Sequence, residues 1–166
     1  MNIPSLVACC SLSAVLLMGG VALSQEPAPC HEAASHNETV VRQAFEKWEA
    51  GGSVFEILSP EVTWTIHGSG PYAATYVGID RFLTQAAAPL VDRLAGPITP
   101  VVHHVWAVDD RVIVRFDGSA TTLSGAPYRN QFVWILTMED GVVRSAEAFL
   151  DLVAYQEVID GNEPAR

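Results

Sequence analysis

The residues that could carry chemistry are spread over several strand-like segments of the sequence. His67 ends a β-rich run, and a neutral imidazole can accept a proton near pH 7. Asn130 begins a long aromatic segment and could donate a hydrogen bond to a carbonyl oxygen. Glu147 could be a buried acid or the partner of Arg115 or Arg129. Each of these residues also has a structural interpretation: an exposed or hydrogen-bonded imidazole, an amide that satisfies local backbone, and a surface ion pair.

Several other chemistries lack their residue patterns. His103 and His104 are adjacent, so in a strand they point to opposite faces and cannot bind one metal ion together. Cys30 lies near His31 and His36, but on a segment with no predicted structure these three residues are a weak metal signal. The sequence has no glycine-rich phosphate loop with a lysine and no Gly-x-Ser-x-Gly turn. It therefore predicts neither a metal nor a cofactor.

Length and charge narrow the class of protein. The 166 residues suffice for one domain, and an apolar fraction of 49% is too high for a disordered chain. Acidic residues number 19 against 9 lysines and arginines, which gives a net charge of −10. Because phosphate binding requires a basic surface, we expect no nucleic-acid partner.

The N-terminal segment has the composition of a targeting sequence. Residues 1–25 contain no charged side chain, and Ala22-Leu23-Ser24 provides the small residues that precede a signal-peptide cleavage site. We expect a signal peptide over 1–24 and export to the periplasm or outside the cell. A membrane anchor formed by residues 3–23 is the alternative, together with a lipoprotein signal at Cys9.

The mature chain predicts an α+β domain. A Pro-, Ala- and Glu-rich linker over 25–34 precedes a helix that Ser35 and Glu38 would cap and Gly51-Gly52 would end. The domain then spans 35–160, and residues 161–166 form a tail. Further helices are predicted over 54–58 and 79–94, the latter kinked at Pro89, and strands over 62–67, 74–77, 101–108, 112–121, 128–138 and 142–150. This order predicts helices packed on one side of an antiparallel sheet.

The order and spacing of several short motifs resemble a known superfamily. They are Ala44-Phe45-x-x-Trp48, Val62-Thr63-Trp64-x-Ile66-x-Gly68, Tyr76-x-Gly78, Pro89-Leu90-x-x-Arg93-Leu94, Asp117-Gly118-x-Ala120-Thr121, Pro127-Tyr128-x-Asn130 and Ala148-Phe149-Leu150-Asp151. Over residues 38–159 the chain resembles the SnoaL-like branch of the nuclear transport factor 2-like, ketosteroid-isomerase-like superfamily. The resemblance implies a cone-shaped barrel in which a curved antiparallel sheet wraps about three helices and leaves an apolar pocket. It also implies a homodimer formed through the outer sheet face.

The same resemblance assigns provisional roles to residues. The steroid isomerases carry a catalytic Asp near the end of the first strand, where this chain has His67, so His67 becomes the candidate base and Asn130 the candidate donor. The phenol and the protonated Asp of those enzymes have no counterpart here, since Phe45 and Phe132 lie at the equivalent places. The residues expected to bind the ligand are Trp48, Trp64, Tyr76, Phe132, Trp134 and Glu147.

Two functions remain open at this point. The first is an enzyme that binds a small apolar ligand and catalyses proton transfer, as an isomerase, cyclase or lyase. The second is a non-catalytic module for ligand binding or dimerisation. The missing strand Asp favours the second function, and the imidazole of His67 keeps the first open.

Overall fold

The computed structural model describes residues 29–165. In chain order the elements are α1 (Pro29–Glu49), a 3-10 turn (Val54–Ile57), β1 (Leu58–Ile66), β2 (Thr75–Val77), α2 (Ile79–Phe82), a π turn (Leu83–Ala87), α3 (Ala88–Val91), β3 (Thr99–Val108), β4 (Arg111–Thr121), β5 (Pro127–Glu139), β6 (Val142–Leu150) and α4 (Leu152–Gly161). The predicted signal peptide, its membrane-anchor and lipoprotein alternatives, residues 25–28 of the predicted linker and Arg166 lie outside the described residues.

Six strands form one curved sheet in the order β2-β1-β6-β5-β4-β3, with the helices against its inner face. The predicted α+β class is thereby confirmed. The expectation of an antiparallel sheet needs one correction, because β1 and β6 run parallel, with Trp64 opposite Ala146 and Ile66 opposite Ala148. This pairing joins the first strand to the last and makes the sheet mixed. Which strands pair, and in which direction, cannot be predicted from the alternation of apolar and polar residues within single strands.

Helix α1 begins earlier than the sequence predicted. It starts at Pro29, and proline is favoured at the first helical position, where its missing N–H costs nothing. Ser35 lies inside the helix, where its carbonyl accepts a hydrogen bond from the Thr39 hydroxyl. Glu38 does not reach back to a cap but pairs with Arg42 one turn later. The predicted cap at Ser35 is therefore wrong, and so is the second half of the predicted 25–34 linker.

The helical segment after β2 is broken where the sequence predicted a kink. Pro89 cannot donate a backbone hydrogen bond, and a π turn directly precedes the short helix that contains it. One carbonyl of this turn, that of Ala86, accepts a hydrogen bond of 2.6 Å from the hydroxyl of Tyr155 in α4. The break is thus tied to the C-terminal helix.

Helix α4 was not predicted from the sequence. Asp151 caps it, since its carboxylate accepts hydrogen bonds from the backbone N–H groups of Val153 and Ala154. Tyr155 and Val158 of this helix are buried against Leu90 and Leu94. The segment predicted as a frayed tail is also attached, because the N–H of Ala165 donates to the carbonyl of Asp92.

Two further features concern the described part of the chain as a whole. Between residues 29 and 165, no helix combines the length and the apolar character needed to cross a membrane. Over the same residues, no group of three or more His, Cys, Asp and Glu side chains is arranged to hold a metal ion.

Candidate ligand-binding site

The sheet separates two chemically different faces. Along β1, Val62, Trp64 and Ile66 point inward and are buried, whereas the residues between them are partly exposed on the outer face. Strands β4 and β5 alternate in the same way. Because successive side chains of a strand point to opposite faces, a shift of one residue decides whether a group faces the helices or solvent.

A cavity of about 200 Å³ lies between the inner face and the helices. Seven aromatic rings contribute to its wall: Trp48, Phe55, Trp64, Phe82, Phe132, Trp134 and Tyr155. They come from α1, the 3-10 turn, β1, α2, β5 and α4. The rings also pack on one another, with Trp64 stacked on Phe82 at a centroid distance of 4.2 Å and perpendicular to Trp134 at 4.9 Å. The wall is therefore a continuous aromatic surface.

Small residues in the neighbouring strands leave the space for this cavity. In β6, Ala146 lies opposite Trp64 and Ala148 lies opposite Trp134. Gly118 of β4 lets Phe132 lie close to the sheet, because a Cβ there would come within 2.9 Å of the Phe132 ring. Of these small residues, Ala148 itself lines the cavity, and Gly118 makes room for the Phe132 ring in its wall.

The wall contains few polar side chains, and two of them already form hydrogen bonds within the protein. The hydroxyl of Tyr155 donates to the Ala86 carbonyl, and burial raises the pKa of this phenol above its ordinary value, so it is neutral near pH 7. The hydroxyl of Ser53 accepts a hydrogen bond from the backbone N–H of Phe55 and caps the 3-10 turn. Within residues 29–165, no charged side chain lines the cavity.

The structure places His67 on the outer face of the sheet and not in the cavity wall. Its ring is stacked on Phe149 at a centroid distance of 4.6 Å, and its Nε2 lies 2.8 Å from the carboxylate of Glu147. The side chains of His67 and Glu147 are 39% and 54% exposed. Glu147 points outward between the inward Ala146 and Ala148, and His67 follows the inward Ile66 and stacks on the outward Phe149, so neither can contact a ligand in the cavity. This geometry does not support His67 as the base or Glu147 as a ligand-binding residue for a cavity ligand.

Asn130 is buried, but its amide is already used by the fold. Its Nδ2 donates to the hydroxyl of Tyr128 and to the carbonyl of Asp151, and its Oδ1 accepts from the N–H groups of Gln131 and Asp151. These bonds attach β5 to the start of α4. No donor is left for a ligand carbonyl, and Asn130 does not line the cavity. Burial raises the pKa of the neighbouring Tyr128 to about 12, so that phenol is also neutral near pH 7.

Four of the six predicted ligand-binding residues line the cavity: Trp48, Trp64, Phe132 and Trp134. The other two, Tyr76 and Glu147, do not. Tyr76 is core, and its hydroxyl donates to the carbonyl of Tyr72. Sequence reasoning missed Phe55, Phe82 and Tyr155 as wall residues. The signal for Tyr155 was present, since Asp151 followed by apolar residues at helical spacing is a helix start.

A second polar cluster lies on the outer face. His103 donates a hydrogen bond to Asp117, which also pairs with Arg115. The hydrogen bond from His103 is the main reason that the pKa of Asp117 lies below its ordinary value, and the hydrogen bond from Arg115 adds to it. Arg115 is therefore bound to Asp117, and His67 takes the place that was expected for an arginine beside Glu147.

Comparisons with known proteins agree with this architecture. The sequence model of the SnoaL-like domain family matches residues 37–146. Among solved structures, Bal32a from a soil-derived mobile gene cassette is 22% identical with a TM-score of 0.63, over 76% of this chain and 98% of that one. A proposed SnoaL-like polyketide cyclase from Jannaschia sp. CCS1 is 21% identical with a TM-score of 0.61, over 84% and 99% of the two chains. TerC, co-crystallised with polyporic acid, is 22% identical with a TM-score of 0.61, over 75% and 98%. None of the curated proteins matches the chain by sequence.

Proposed function

We propose that this chain, which belongs to the SnoaL-like domain family, is a small-molecule-binding protein whose ligand occupies the aromatic cavity inside the cone. The observation that carries the proposal is the wall itself: seven aromatic rings around about 200 Å³, with no charged side chain among its described residues. Apolar concavities of this kind are the usual binding sites of small ligands. The co-crystal of TerC with polyporic acid supports small-molecule binding by this fold.

Ligand binding without acid–base catalysis is favoured over an isomerase, cyclase or lyase activity. Proton transfer requires a group of suitable pKa within hydrogen-bond reach of the substrate. In the described part of the wall, the ionisable side chain is Tyr155, and its hydroxyl is bonded to the Ala86 carbonyl. The imidazole of His67 is separated from the cavity by the sheet.

The test compares two neighbouring residues on opposite faces of β6. Ala148→Leu fills part of the cavity, whereas Phe149→Leu changes the outer face. We expect toluene to bind the wild-type protein, to bind Ala148→Leu at least about tenfold more weakly, and to bind Phe149→Leu within about twofold of wild type. Isothermal titration calorimetry measures the three affinities. Absence of toluene binding to the wild type, or equal binding to Ala148→Leu, would overturn the proposal.

We further propose that the outer face of the sheet joins two copies of the chain. This face contains Phe149 at 42% and Trp106 at 49% exposure, together with Val133 and Ile135 of β5. Contiguous exposed apolar surface of this kind marks an interaction site. Sedimentation equilibrium of the wild type and of Val133→Lys tests this directly. We expect a dimer for the wild type and a monomer for the variant, and a monomeric wild type would exclude the interface.

Export is proposed from the sequence of residues 1–24. Intact mass and N-terminal sequencing of the protein from its natural host test it, and a chain that begins at Gln25 is the expected result. A chain that retains Met1 in the membrane fraction would support the anchor over 3–23.

A further inference from the structure

The cavity wall contains hydrogen-bond donors that the protein does not use. Trp64 and Trp134 are 2% and 6% exposed, and both line the cavity. Across the described residues, neither indole N–H donates to a protein acceptor, although buried donors are nearly always paired. The one buried side-chain polar atom that is sealed off without a partner in this part of the chain is Oε1 of Gln156, so both indole nitrogens remain accessible. Both rings contribute to the cavity wall, so the cavity is the place where a bound ligand could reach their N–H groups.

The size of the cavity limits what can fill it. Pockets for drug-sized ligands have volumes of about 300–1,000 Å³, and an apolar cavity of about 150 Å³ is sufficient for benzene. At about 200 Å³, the space between Trp64, Trp134 and α2 takes one aromatic ring with a short substituent. A ligand of three or more fused rings would have to extend beyond it.

The charge of the wall limits the ligand further. An ion taken out of water needs an opposite charge or several hydrogen bonds, and the described wall residues supply no charge. Aromatic walls favour aromatic ligands, because ring pairs in edge-to-face or offset geometry add to the hydrophobic gain. An acceptor atom on the ligand would pair with an indole N–H that otherwise stays unbonded.

From these observations we infer that the ligand class is an uncharged single-ring aromatic compound with a carbonyl or similar acceptor, and that Trp64 or Trp134 donates its indole hydrogen bond to that acceptor. This inference rests on the proposed function, since it specifies the ligand of the same cavity. It assigns specificity to the indole nitrogens and not to His67 or Asn130.

The experiment uses four probes of graded chemistry: acetophenone, cumene, benzoate and anthraquinone. Acetophenone and cumene have the same number and connectivity of heavy atoms, but cumene lacks the acceptor. Benzoate adds a charge, and anthraquinone adds two rings. Affinities are measured for the wild type, Trp64→Phe, Trp134→Phe and the outer-face control Trp106→Phe. Comparing each probe across variants removes the difference in hydrophobicity between acetophenone and cumene.

We expect acetophenone to bind one of the two cavity variants about three- to tenfold more weakly than wild type, as befits the loss of one neutral hydrogen bond. Cumene affinity changes by less than about twofold in the same variant, and Trp106→Phe leaves both affinities unchanged. Benzoate and anthraquinone bind at least about tenfold more weakly than acetophenone.

A second measurement does not depend on the folding of the cavity variants. The four tryptophans give four indole N–H signals in a ¹H–¹⁵N spectrum of the wild type. Acetophenone should move one cavity signal downfield, whereas cumene should not, and the Trp106 signal should stay in place. Equal responses to acetophenone and cumene would overturn the acceptor assignment and leave the proposed function standing. Tighter binding of anthraquinone than of acetophenone would overturn the size assignment. Absence of binding by every neutral probe would overturn both this inference and the proposed function.

Discussion

The inner and outer faces of the six-stranded sheet carry side chains of different chemistry. The inner face carries aromatic and small apolar residues and borders a cavity without charged side chains in the described residues. The outer face carries the pairs His67–Glu147 and His103–Asp117, both largely accessible to solvent. The same strands supply both faces, so the difference arises from the phase of a two-residue alternation. Residue types alone therefore identify chemistry, whereas the phase decides whether a ligand can reach it.

The largest effect that separates the two faces should come from their tryptophans. Trp134 contacts six other aromatic rings on the inner side, including Trp64, Phe116 and Phe132. We expect Trp134→Ala to lower the free energy of unfolding by about 3–5 kcal/mol, because it removes buried surface and leaves a larger void. Urea denaturation in the monomeric Val133→Lys background measures this, with Trp106→Ala on the outer face as the control at less than about 1 kcal/mol. Equal losses would show that the faces are not energetically distinct.

The next effect concerns the neighbours Asn130 and Gln131, which point to opposite faces. Asn130→Ala removes an amide that makes four hydrogen bonds and leaves buried partners without one, so we expect a loss of about 2–4 kcal/mol. Gln131→Ala is the exposed control, at about 0.5 kcal/mol or less. Urea denaturation of both variants is read beside toluene binding. A stable Asn130→Ala protein that no longer binds toluene would show that Asn130 contributes to ligand binding.

Titratable residues on the two sides of the sheet should lower the stability of the protein at opposite ends of the pH range. Burial raises the pKa values of Tyr155 and Tyr128, the latter to about 12, so ionisation above pH 10 favours the unfolded chain. Stability is therefore constant below pH 10 with respect to these groups, and falls as the pH rises further, by up to about 1.4 kcal/mol per pH unit for each tyrosine. Tyr155→Phe should make this alkaline decline shallower in thermal melts. An unchanged slope would contradict the raised pKa.

On the outer face, the change of stability with pH has the opposite sign. Hydrogen bonds from His103 and Arg115 lower the pKa of Asp117, so its contribution is present above its ordinary pKa of 3.8 and is lost as the pH falls through the lowered value. Asp117→Asn should reduce the acid dependence without altering the alkaline decline. A change in the alkaline limb of the melts would contradict the separation of the two faces.

The smallest effect is expected for His67, the candidate base of the sequence analysis. Its imidazole is exposed and pairs with an exposed carboxylate, so His67→Ala should change the free energy of unfolding by less than about 1 kcal/mol. Toluene affinity should stay within about twofold of wild type, because the ring lies across the sheet from the cavity. Calorimetry measures both quantities. A large loss of ligand affinity in this variant would overturn the assignment of the cavity as the binding site.

The sequence was sufficient for the α+β class and for most of the aromatic part of the wall, but it predicted neither the parallel β1–β6 pairing nor helix α4. Apolar alternation identified Trp64, Phe132 and Trp134 as inward residues, and helical spacing did the same for Trp48. The resemblance makes His67 the candidate base because it lies where the steroid isomerases carry their Asp, but His67 follows the inward Ile66 and therefore lies on the outer face. Asn130 was misjudged because its partners at Asp151 are 21 residues away in the chain. Helix α4, which supplies Tyr155, is missed because the sequence analysis predicts no element after the last strand ends at Leu150.

The parallel pairing of β1 with β6 has a consequence for how the chain folds. The two strands lie far apart in sequence, as the bond between His67 and Glu147 spans 80 residues. Strands β3 to β6 are neighbours connected by hairpins and can pair early. The β2-β1 pair can join the sheet only after β6, the last strand, is present. During synthesis, β1 therefore leaves the ribosome long before its partner exists. Closing this long loop carries the greatest entropic cost in the sheet, and the cavity comes into existence only at that step.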